Sequence, residues 1–378
     1  MLIQAHAPIF LARVERKEHR FIERSAGHVD GLVILGRLVA PPWAMQQHPI
    51  PGLADPDLID AARRAGIDFL VDPDTWPLPE ARSRDDHSVG RSVRLGAAEV
   101  VQLPLSPDQL ADPELRQIFV RASMADQAHA LMPAAPYFRF SSQKDPWLRV
   151  NLDCIRMLVE LRGIKPVAAF VMCTLEALAD GTLELAAARY AAVLPPGSIA
   201  LMGVADLRPD SAELALLSKY LRAVAAFANA GLAPIADRVG EFGPATIPFG
   251  ARGCARGTRL YRHTPPKATF TTDINPKMRL KWLAPGTAQR LPVAKATARV
   301  ARGTIERCPE LRKCVTLRLT IDPVHVRLHD AHLHRYELQR AAQRGAAGQA
   351  AQWRRRKLKM LARWAQAIDD AAARSAEA

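Results

Sequence analysis

The first 250 residues alternate short, continuous apolar runs with segments of helical periodicity, and this alternation restricts the fold more than any other feature. Apolar runs without polar alternation are typical of parallel strands that are covered on both faces, and helical segments between them indicate repeated strand–helix units. The predicted strands are 30–36, 68–72, 137–140, 166–173, 198–204, 234–236 and 245–249, and the predicted helices are 56–65, 113–132, 146–162, 174–193 and 211–230.

Seven or eight such units in about 250 residues match the size of a (β/α)8 barrel. We therefore predict an α/β fold with a TIM-like barrel in residues 1–258. A doubly wound open sheet is the alternative. The dinucleotide-binding form of that fold has a G-x-G-x-x-G run after its first strand, and this sequence has none there. Prolines and a loss of helical period after residue 258 predict a second unit, a basic and mainly helical C-terminal subdomain over 259–378.

Basic residues are concentrated in the last third of the chain. Residues 251–378 hold 27 Lys and Arg against 9 Asp and Glu, a net charge of +18, whereas residues 1–250 hold 25 against 29, a net charge of −4. Such asymmetry indicates a polyanion partner, with nucleic acid the first candidate and an anionic membrane the second. A solvated, arginine-rich surface without a partner is the alternative.

Neither a signal peptide nor a transmembrane segment is expected. The short apolar run at 7–12 is followed at once by charged residues, and no run approaches the roughly 20 apolar residues of a membrane-spanning helix. Five cysteines, an odd and sparse count, do not suggest a disulfide framework. We therefore expect a cytoplasmic protein without a membrane partner, and the sequence leaves open whether it forms a homo-oligomer.

Polar residues directly follow several predicted strands, which is where barrel enzymes carry their catalytic groups. Asp72, Asp74 and Trp76 combine two carboxylates, as nucleophile or general base, with an aromatic stacking surface. Turn formation by Asp-Pro-Asp and pairing among charges are the structural alternatives. The other predicted residues are two candidate catalytic aspartates and three candidate substrate-binding arginines: Asp206, Asp237, Arg139, Arg208 and Arg238.

Glycine and arginine recur within residues 250–257. Glycine lets backbone N–H groups approach an anion, and the final loops of barrels often hold phosphate. No Gly-Lys-Ser/Thr follows, so this is not a P-loop, and tight-turn packing is the alternative. We predict that a loop here binds substrate through Gly250, Arg252, Gly253, Arg256 and Gly257.

Thiol and imidazole groups cluster after residue 300. Cys308 and Cys314 lie six positions apart, and four histidines follow between positions 325 and 334. Thiolate and imidazole together suit tetrahedral zinc, so we predict zinc bound by the two cysteines with His329 and His332. The cysteine spacing is wider than usual, and ordinary cysteines with basic or core histidines are the alternative.

The densest run of positive charge lies at 353–359, in a predicted amphipathic helix. Such a cationic face could follow a phosphate backbone. The predicted nucleic-acid-binding residues are Arg354, Arg355, Arg356, Lys357 and Lys359. Binding to a membrane surface is the competing use, and a solvated helix that only caps the fold is the third possibility.

The order of these parts resembles the tRNA-guanine transglycosylase family, remotely and over most of the chain. Cys308 and Cys314, followed by His332-Leu-His-Arg335-Tyr336, look like its Cys-rich stretch and His-x-x-Arg-Tyr helix. Phe69-Leu-Val-Asp72 is similar to its early strand that ends in aspartate, although Pro73-Asp74-Thr75-Trp76 replaces the family's Asp-Ser-Gly-Gly-Phe-Gln. The resemblance implies a (β/α)8 barrel, a zinc subdomain and base exchange, with that aspartate acting near the exchanged base.

Three functions are compatible with this reading. The first is an enzyme that exchanges or modifies a base of tRNA or DNA, with the strand-end residues as its site and the basic segment holding the nucleic acid. The second is a non-catalytic nucleic-acid-binding protein built on a barrel scaffold. The third is a barrel enzyme that acts on a small phosphorylated metabolite.

Overall fold

Seven parallel strands form one curled sheet in the order β3-β2-β1-β7-β6-β5-β4. The computed structural model of the chain describes residues 7–14, 18–36, 57–81, 100–124, 127, 129–163, 165–257, 281–283, 290–292 and 323–377. The strands are β1 (Ile9–Val14), β2 (Gly31–Leu35), β3 (Phe69–Asp72), β4 (Ala168–Cys173), β5 (Ile199–Val204), β6 (Ala233–Asp237) and β7 (Gly253–Gly257). Because all seven run in the same direction, their carboxyl ends meet at one edge of the sheet.

Helices cover the outer face of this sheet. They are α1 (His19–Arg24), α2 (Asp57–Arg64), α3 (Pro113–Ser123), α4 (Pro146–Arg162), α5 (Leu175–Ala179), α6 (Thr182–Ala191), α7 (Leu214–Asn229), α8 (Pro323–Arg355) and α9 (Lys359–Glu377). The described residues also include four 3-10 helices, Leu78–Glu80, Gln109–Ala111, Gly240–Ala245 and Ile247–Phe249, and a small antiparallel sheet of β8 (Lys281–Leu283) and β9 (Arg290–Pro292). None of the described helices is both long and apolar enough to cross a membrane.

Alternate side chains of each strand point to opposite sides of the sheet, which divides the apolar residues between two cores. The inner core, inside the curl, includes Ile9 and Leu11 of β1. The larger outer core, between sheet and helices, includes Phe10 of the same strand. Arg13, two residues beyond Leu11, therefore continues the inner row, and so does Asp237 at the end of β6. The inner face is thus apolar along most of its length and charged at its carboxyl end.

An irregular segment, residues 131–140, bridges the two edge strands of the sheet. On one side Leu131 donates its backbone N–H to the carbonyl oxygen of Phe69 in β3, at 2.8 Å. On the other side the carbonyl oxygen of Pro133 accepts from Ala168 N in β4 at 2.9 Å, and that of Phe140 accepts from Thr174 N at 3.0 Å. The unpaired backbone of both edge strands is therefore satisfied by this segment over part of its length.

The two C-terminal helices pack directly on the strand–helix body. Residues of α8 and α9, among them Leu328 and Leu361, belong to the same outer core as Phe10. Near its start α8 also makes a buried ion pair, in which Arg327 lies 2.7 Å from Glu18. Residues 259–280 lie outside the described part of the chain, and the division at residue 258 into two units stays a prediction.

The parallel α/β organisation predicted from the sequence is confirmed, with changes in single elements. The predicted strand 245–249 is wrong, because these residues lie in two 3-10 helices, and the last strand of the sheet is β7. The predicted helix 174–193 is divided into α5 and α6 at Gly181, which has a φ of 85° that only glycine adopts easily. The predicted helix 113–132 ends at Ser123, and the predicted strand 137–140 is irregular except for one bridge at Phe140.

Candidate functional site

A buried arginine joins two buried aspartates at the carboxyl ends of three strands. Arg13 of β1 donates from Nε and Nη2 to the two carboxylate oxygens of Asp237, at 2.7 and 2.6 Å. Its Nη1 donates to Asp72 Oδ2 at 2.7 Å. All three side chains are at most 3% exposed, so each charge is neutralised by its partners rather than by water. We call these residues, with Tyr137 and Arg238, the ion network.

Asp72 is the centre of the ion network. Its Oδ1 accepts from the Tyr137 hydroxyl and from Asp74 N, each at 2.9 Å. Its Oδ2 accepts from Arg13 and, at 3.2 Å, from Arg238 Nη2. Four donors therefore surround a carboxylate that is 0% exposed. This carboxylate has neither the access nor the free lone pairs of a nucleophile, and the geometry gives it a positioning role.

The arginines of the ion network keep the carboxylate of Asp72 ionised. Burial raises the pKa of Asp72, but the attraction of Arg13 and Arg238 outweighs it and holds that pKa below its ordinary range. For Arg13 burial opposes the charge and the two aspartates favour it, with a net rise in pKa. Burial and the neighbouring Asp72 raise the pKa of the Tyr137 hydroxyl well above its usual value, so this residue remains a hydrogen-bond donor.

The backbone is strained directly after three strands. Among the described residues four that are not glycine have positive φ, and three of them follow strand ends: Asp74 with 52°, Asp206 with 63° and Arg238 with 60°. They follow β3, β5 and β6. Such conformations are costly and occur preferentially at sites where side chains are held for function. All three residues belong to the strand-end set predicted from the sequence.

An aromatic and charged group lies next to the ion network. Trp76 donates its indole N–H to Asp74 Oδ1 at 3.1 Å, and both side chains are buried. The guanidinium of Arg139 lies over the indole ring, 5.0 Å from its centroid, and also forms an ion pair with Glu80. Trp76 thus stacks on a cation of its own chain, and Arg139 is anchored between a ring and a carboxylate.

Asp206 differs from the other strand-end aspartates in the state of its carboxylate. Its Oδ1 is buried and accepts no hydrogen bond from the described residues. Burial raises the pKa of this carboxyl above its ordinary value, an effect that Arg139 and then Arg208 partly offset. The side chain as a whole is partly exposed, and Arg208 is exposed. A partly accessible carboxylate with an unused oxygen and a raised pKa is suited to proton transfer.

The loop conformation predicted for residues 250–257 is wrong over its last five positions, which form strand β7, and substrate binding by these residues stays a prediction. Gly253 pairs with Ile9 in β1, and a Cβ atom placed on it would lie 2.0 Å from the carbonyl oxygen of Ile9, which explains the glycine. Arg256 points to the outer side, where it contacts His334 and lies 3.6 Å from Glu241. Of the five predicted residues, Gly253, Arg256 and Gly257 are strand residues, whereas Gly250 and Arg252 precede the strand.

The predicted zinc ligands are divided by the limits of the described chain. Cys308 and Cys314 lie outside the described residues. His329 and His332 are buried on α8, where His329 Nε2 lies 2.9 Å from the carbonyl oxygen of Leu283. Within the described part of the chain no group of three or more potential ligands is placed to hold a metal ion. Zinc binding stays a prediction, and none of the chemistry below depends on it.

The predicted nucleic-acid-binding residues form the corner between α8 and α9. We call residues 354–359 the basic turn. Arg354, Arg355, Lys357 and Lys359 are exposed, whereas Arg356 is partly buried. The exposed cations satisfy the first condition for a phosphate-binding surface.

Arg13 and Tyr137, two members of the ion network, were missed by the sequence reasoning. Arg13 follows the apolar run 7–12, and the last four residues of that run lie in β1. An arginine two positions after inward-facing leucine was the available signal, because alternate strand residues share a face. Tyr137 lies in a predicted strand, but no sequence signal indicated a partner for its hydroxyl, which donates to Asp72.

Comparison with known proteins adds no name to this geometry. A scan against protein-family models found no match, and a search of curated proteins found none either.

Proposed function

We propose that this protein is an enzyme that exchanges or modifies a base of a nucleic acid, tRNA or DNA. The observation that carries the proposal is Asp206. Its buried Oδ1 accepts no hydrogen bond from the described residues, and its backbone has a strained, positive φ just after a strand end. Proton transfer to or from a ring nitrogen is the elementary step that base chemistry requires, and a carboxyl of raised pKa can perform it.

The strand-end residues divide into reacting and positioning groups under this proposal. Asp206 is the proton-transfer residue, and Arg208 beside it contacts the substrate phosphate. The partly exposed Arg139 forms the wall against which the base is oriented, and the buried Trp76 holds its guanidinium in place. Asp72 and Asp237 hold Arg13 and Arg238, and through them fix the strand ends at one separation, which is the precondition for a preorganised site.

The proposal also includes a closed barrel. We infer that segment 131–140 takes the place of one barrel strand, so that seven strands and one irregular segment form an eight-membered (β/α)8-like barrel. Support comes from its hydrogen bonds to both edge strands, including that from Ala168 N to the carbonyl oxygen of Pro133. The resemblance to tRNA-guanine transglycosylases adds base exchange as the reaction and zinc as a structural ion. Metal analysis of the purified chain, with Cys308→Ser and Cys314→Ser as controls, tests the zinc.

The proposal is tested by looking for altered nucleosides. Purified protein is incubated with tRNA and with DNA in the presence of labelled purine bases, and the digested nucleosides are analysed by mass spectrometry. We expect label or a new nucleoside with the wild type and a loss of at least about 100-fold in Asp206→Asn, the size of a typical acid–base contribution. Asp60→Asn, at an exposed position on α2, serves as the matched control and should leave the product unchanged.

Two other results would redirect the assignment. Salt-dependent binding of nucleic acid without any product would favour a non-catalytic binding protein. Turnover of a small phosphorylated metabolite that is indifferent to nucleic acid would contradict the proposal.

A further inference from the structure

The basic turn is attached to the loop that carries Asp206. This loop, residues 205–212, begins where β5 ends. Trp364 in the second turn of α9 donates its indole N–H to the carbonyl oxygen of Pro209 at 2.7 Å. Its neighbour Arg363 donates to the carbonyl oxygens of Asp210, at 3.5 Å, and of Ala212. The start of α9 is therefore fixed to the same short loop as the proposed proton-transfer residue.

A second attachment reaches the loop after β6. Trp353, the residue before the basic turn, lies 5.3 Å from Trp364 between ring centroids. Both rings contact Phe242, at 6.3 and 5.5 Å. Phe242 lies in the 3-10 helix Gly240–Ala245, which follows the strained Arg238. Two buried tryptophans thus bracket the basic turn and dock it on both strand-end loops.

The basic turn and the loop 205–212 both carry exposed cations. Arg355, Lys357 and Lys359 of the basic turn and Arg208 of the loop are exposed, and none forms a salt bridge with a described residue. Arg354 is paired with Asp369, the loop also carries the exposed Asp210, and the exposed Glu213 follows it. These carboxylates reduce the positive potential but leave the basic turn in excess.

We propose that the basic turn and Arg208 form one phosphate-contact surface that leads to the strand-end site, so the substrate is a polynucleotide and not a free nucleoside or mononucleotide. This inference rests on the proposed function for the identity of the site. A single nucleotide offers one phosphate and cannot contact two chain segments at several positions. A strand of several nucleotides can contact the basic turn with its flanking phosphates while one base occupies the site.

The charge surface fits nucleic acid better than a membrane. A membrane-surface helix exposes apolar side chains beside its cations. Here Trp353 and Trp364 are buried, and the large hydrophobic side chains exposed within the described residues are Ile118 and Leu185, on α3 and α6. The flank of the basic turn therefore has no large exposed apolar side chain to insert into lipid.

The test measures binding of fluorescein-labelled single-stranded RNA and DNA oligonucleotides of about 4 to about 16 nucleotides by anisotropy. Four phosphate contacts, by Arg208 and the three basic-turn cations without a salt bridge among the described residues, predict a fall in wild-type affinity of about 50-fold between about 50 and about 200 mM salt, because each contact releases about 0.7 counterions from a single strand. Affinity should also rise with oligonucleotide length until the surface is filled.

Two quadruple variants separate position from net charge. One replaces the exposed cations of the basic turn, Arg354, Arg355, Lys357 and Lys359, by serine. The other replaces four exposed arginines of the outer helices, Arg64, Arg121, Arg149 and Arg162, by serine. In the basic-turn variant Arg208 is the remaining contact, so its affinity should fall only about threefold over the same salt range. The outer-helix variant should keep the wild-type dependence.

The inference is overturned by any of three results. These are equal losses in both quadruple variants, an affinity that does not depend on oligonucleotide length, or tighter binding to phosphatidylserine vesicles than to any oligonucleotide. Its failure is distinguishable from that of the proposed function, because binding is measured without product. Strong, length-dependent binding together with no altered nucleoside would keep this surface and reject the enzyme.

Discussion

The ion network and the basic turn use arginine for opposite purposes. In the ion network Arg13 is buried and held by two carboxylates, so its charge contributes to the fold and to the spacing of strand ends. In the basic turn Arg355 is exposed and hydrogen-bonded only to Gln352 among the described residues, so its charge is available to a partner. The difference shows that a net charge says little until each cation has been assigned a neighbour.

The largest expected effect separates these two arginines by stability. Arg13→Ala leaves two buried carboxylates without their counterion and should lower the free energy of unfolding by about 3–5 kcal/mol. Arg355→Ala should change it by less than about 0.5 kcal/mol, as is usual for surface substitutions. Urea denaturation of both variants measures the difference. Equal stability of the two would show that the ion network does not hold the strand ends.

Gly253→Ala tests whether residues 253–257 belong to the fold or to substrate binding. The added methyl group would meet the Ile9 carbonyl, so we expect a loss of about 1–3 kcal/mol in stability, the range for overpacked cores. Oligonucleotide affinity of the folded fraction should not change. A stable variant that binds oligonucleotides more weakly would instead support substrate binding by this segment.

Acid should weaken the ion network before it affects the basic turn. Because the pKa of Asp72 is lowered in the folded chain, its stabilising contribution is complete above the ordinary aspartate value of about 3.9. This contribution is lost as the pH falls through the lower folded value. Urea titrations between about pH 7 and about pH 2 should therefore show a steep acid loss that is smaller in Asp72→Asn. An unchanged acid slope in that variant would contradict the assignment.

Among the arginines in ion pairs, the smallest effect is expected at an exposed pair. Arg64 lies 3.0 Å from Glu23, with both side chains about half exposed. Removing this arginine should cost less than about 1 kcal/mol, because water screens such pairs. A cost near that of Arg13→Ala would remove the distinction between buried and exposed pairs on which the comparison rests.

The sequence predicted the fold best where hydrophobic pattern and tertiary contact agree. Strands β3, β4 and β5 were recognisable as continuous apolar runs, and α4 was predicted at its observed bounds, with Asp145 capping its first turn. Strand β7 was missed because Gly253–Gly257 contains two glycines and an arginine, which are typical of loops. The close approach of β1 explains Gly253, and no local pattern reports that contact.

The sequence predicted which residues lie at the candidate site better than it predicted the role of each. Asp72, Asp74, Asp206 and Arg238 do lie at strand ends, since strand periodicity places them there. Which carboxylate is enclosed and which has an unused oxygen depends on partners more than 50 residues away, such as Arg13. Sequence reasoning therefore assigned the role of nucleophile or general base to Asp72, with Asp206 as a further candidate, whereas the geometry favours Asp206 for proton transfer.

The account is tested most directly by measuring binding and product formation on one polynucleotide with two variants. We predict that Asp206→Asn keeps the wild-type affinity and loses the product. The basic-turn variant should lose affinity but convert what it binds at the wild-type rate. Product formed by Asp206→Asn at the wild-type rate would contradict the account, and so would a basic-turn variant that binds as tightly as the wild type.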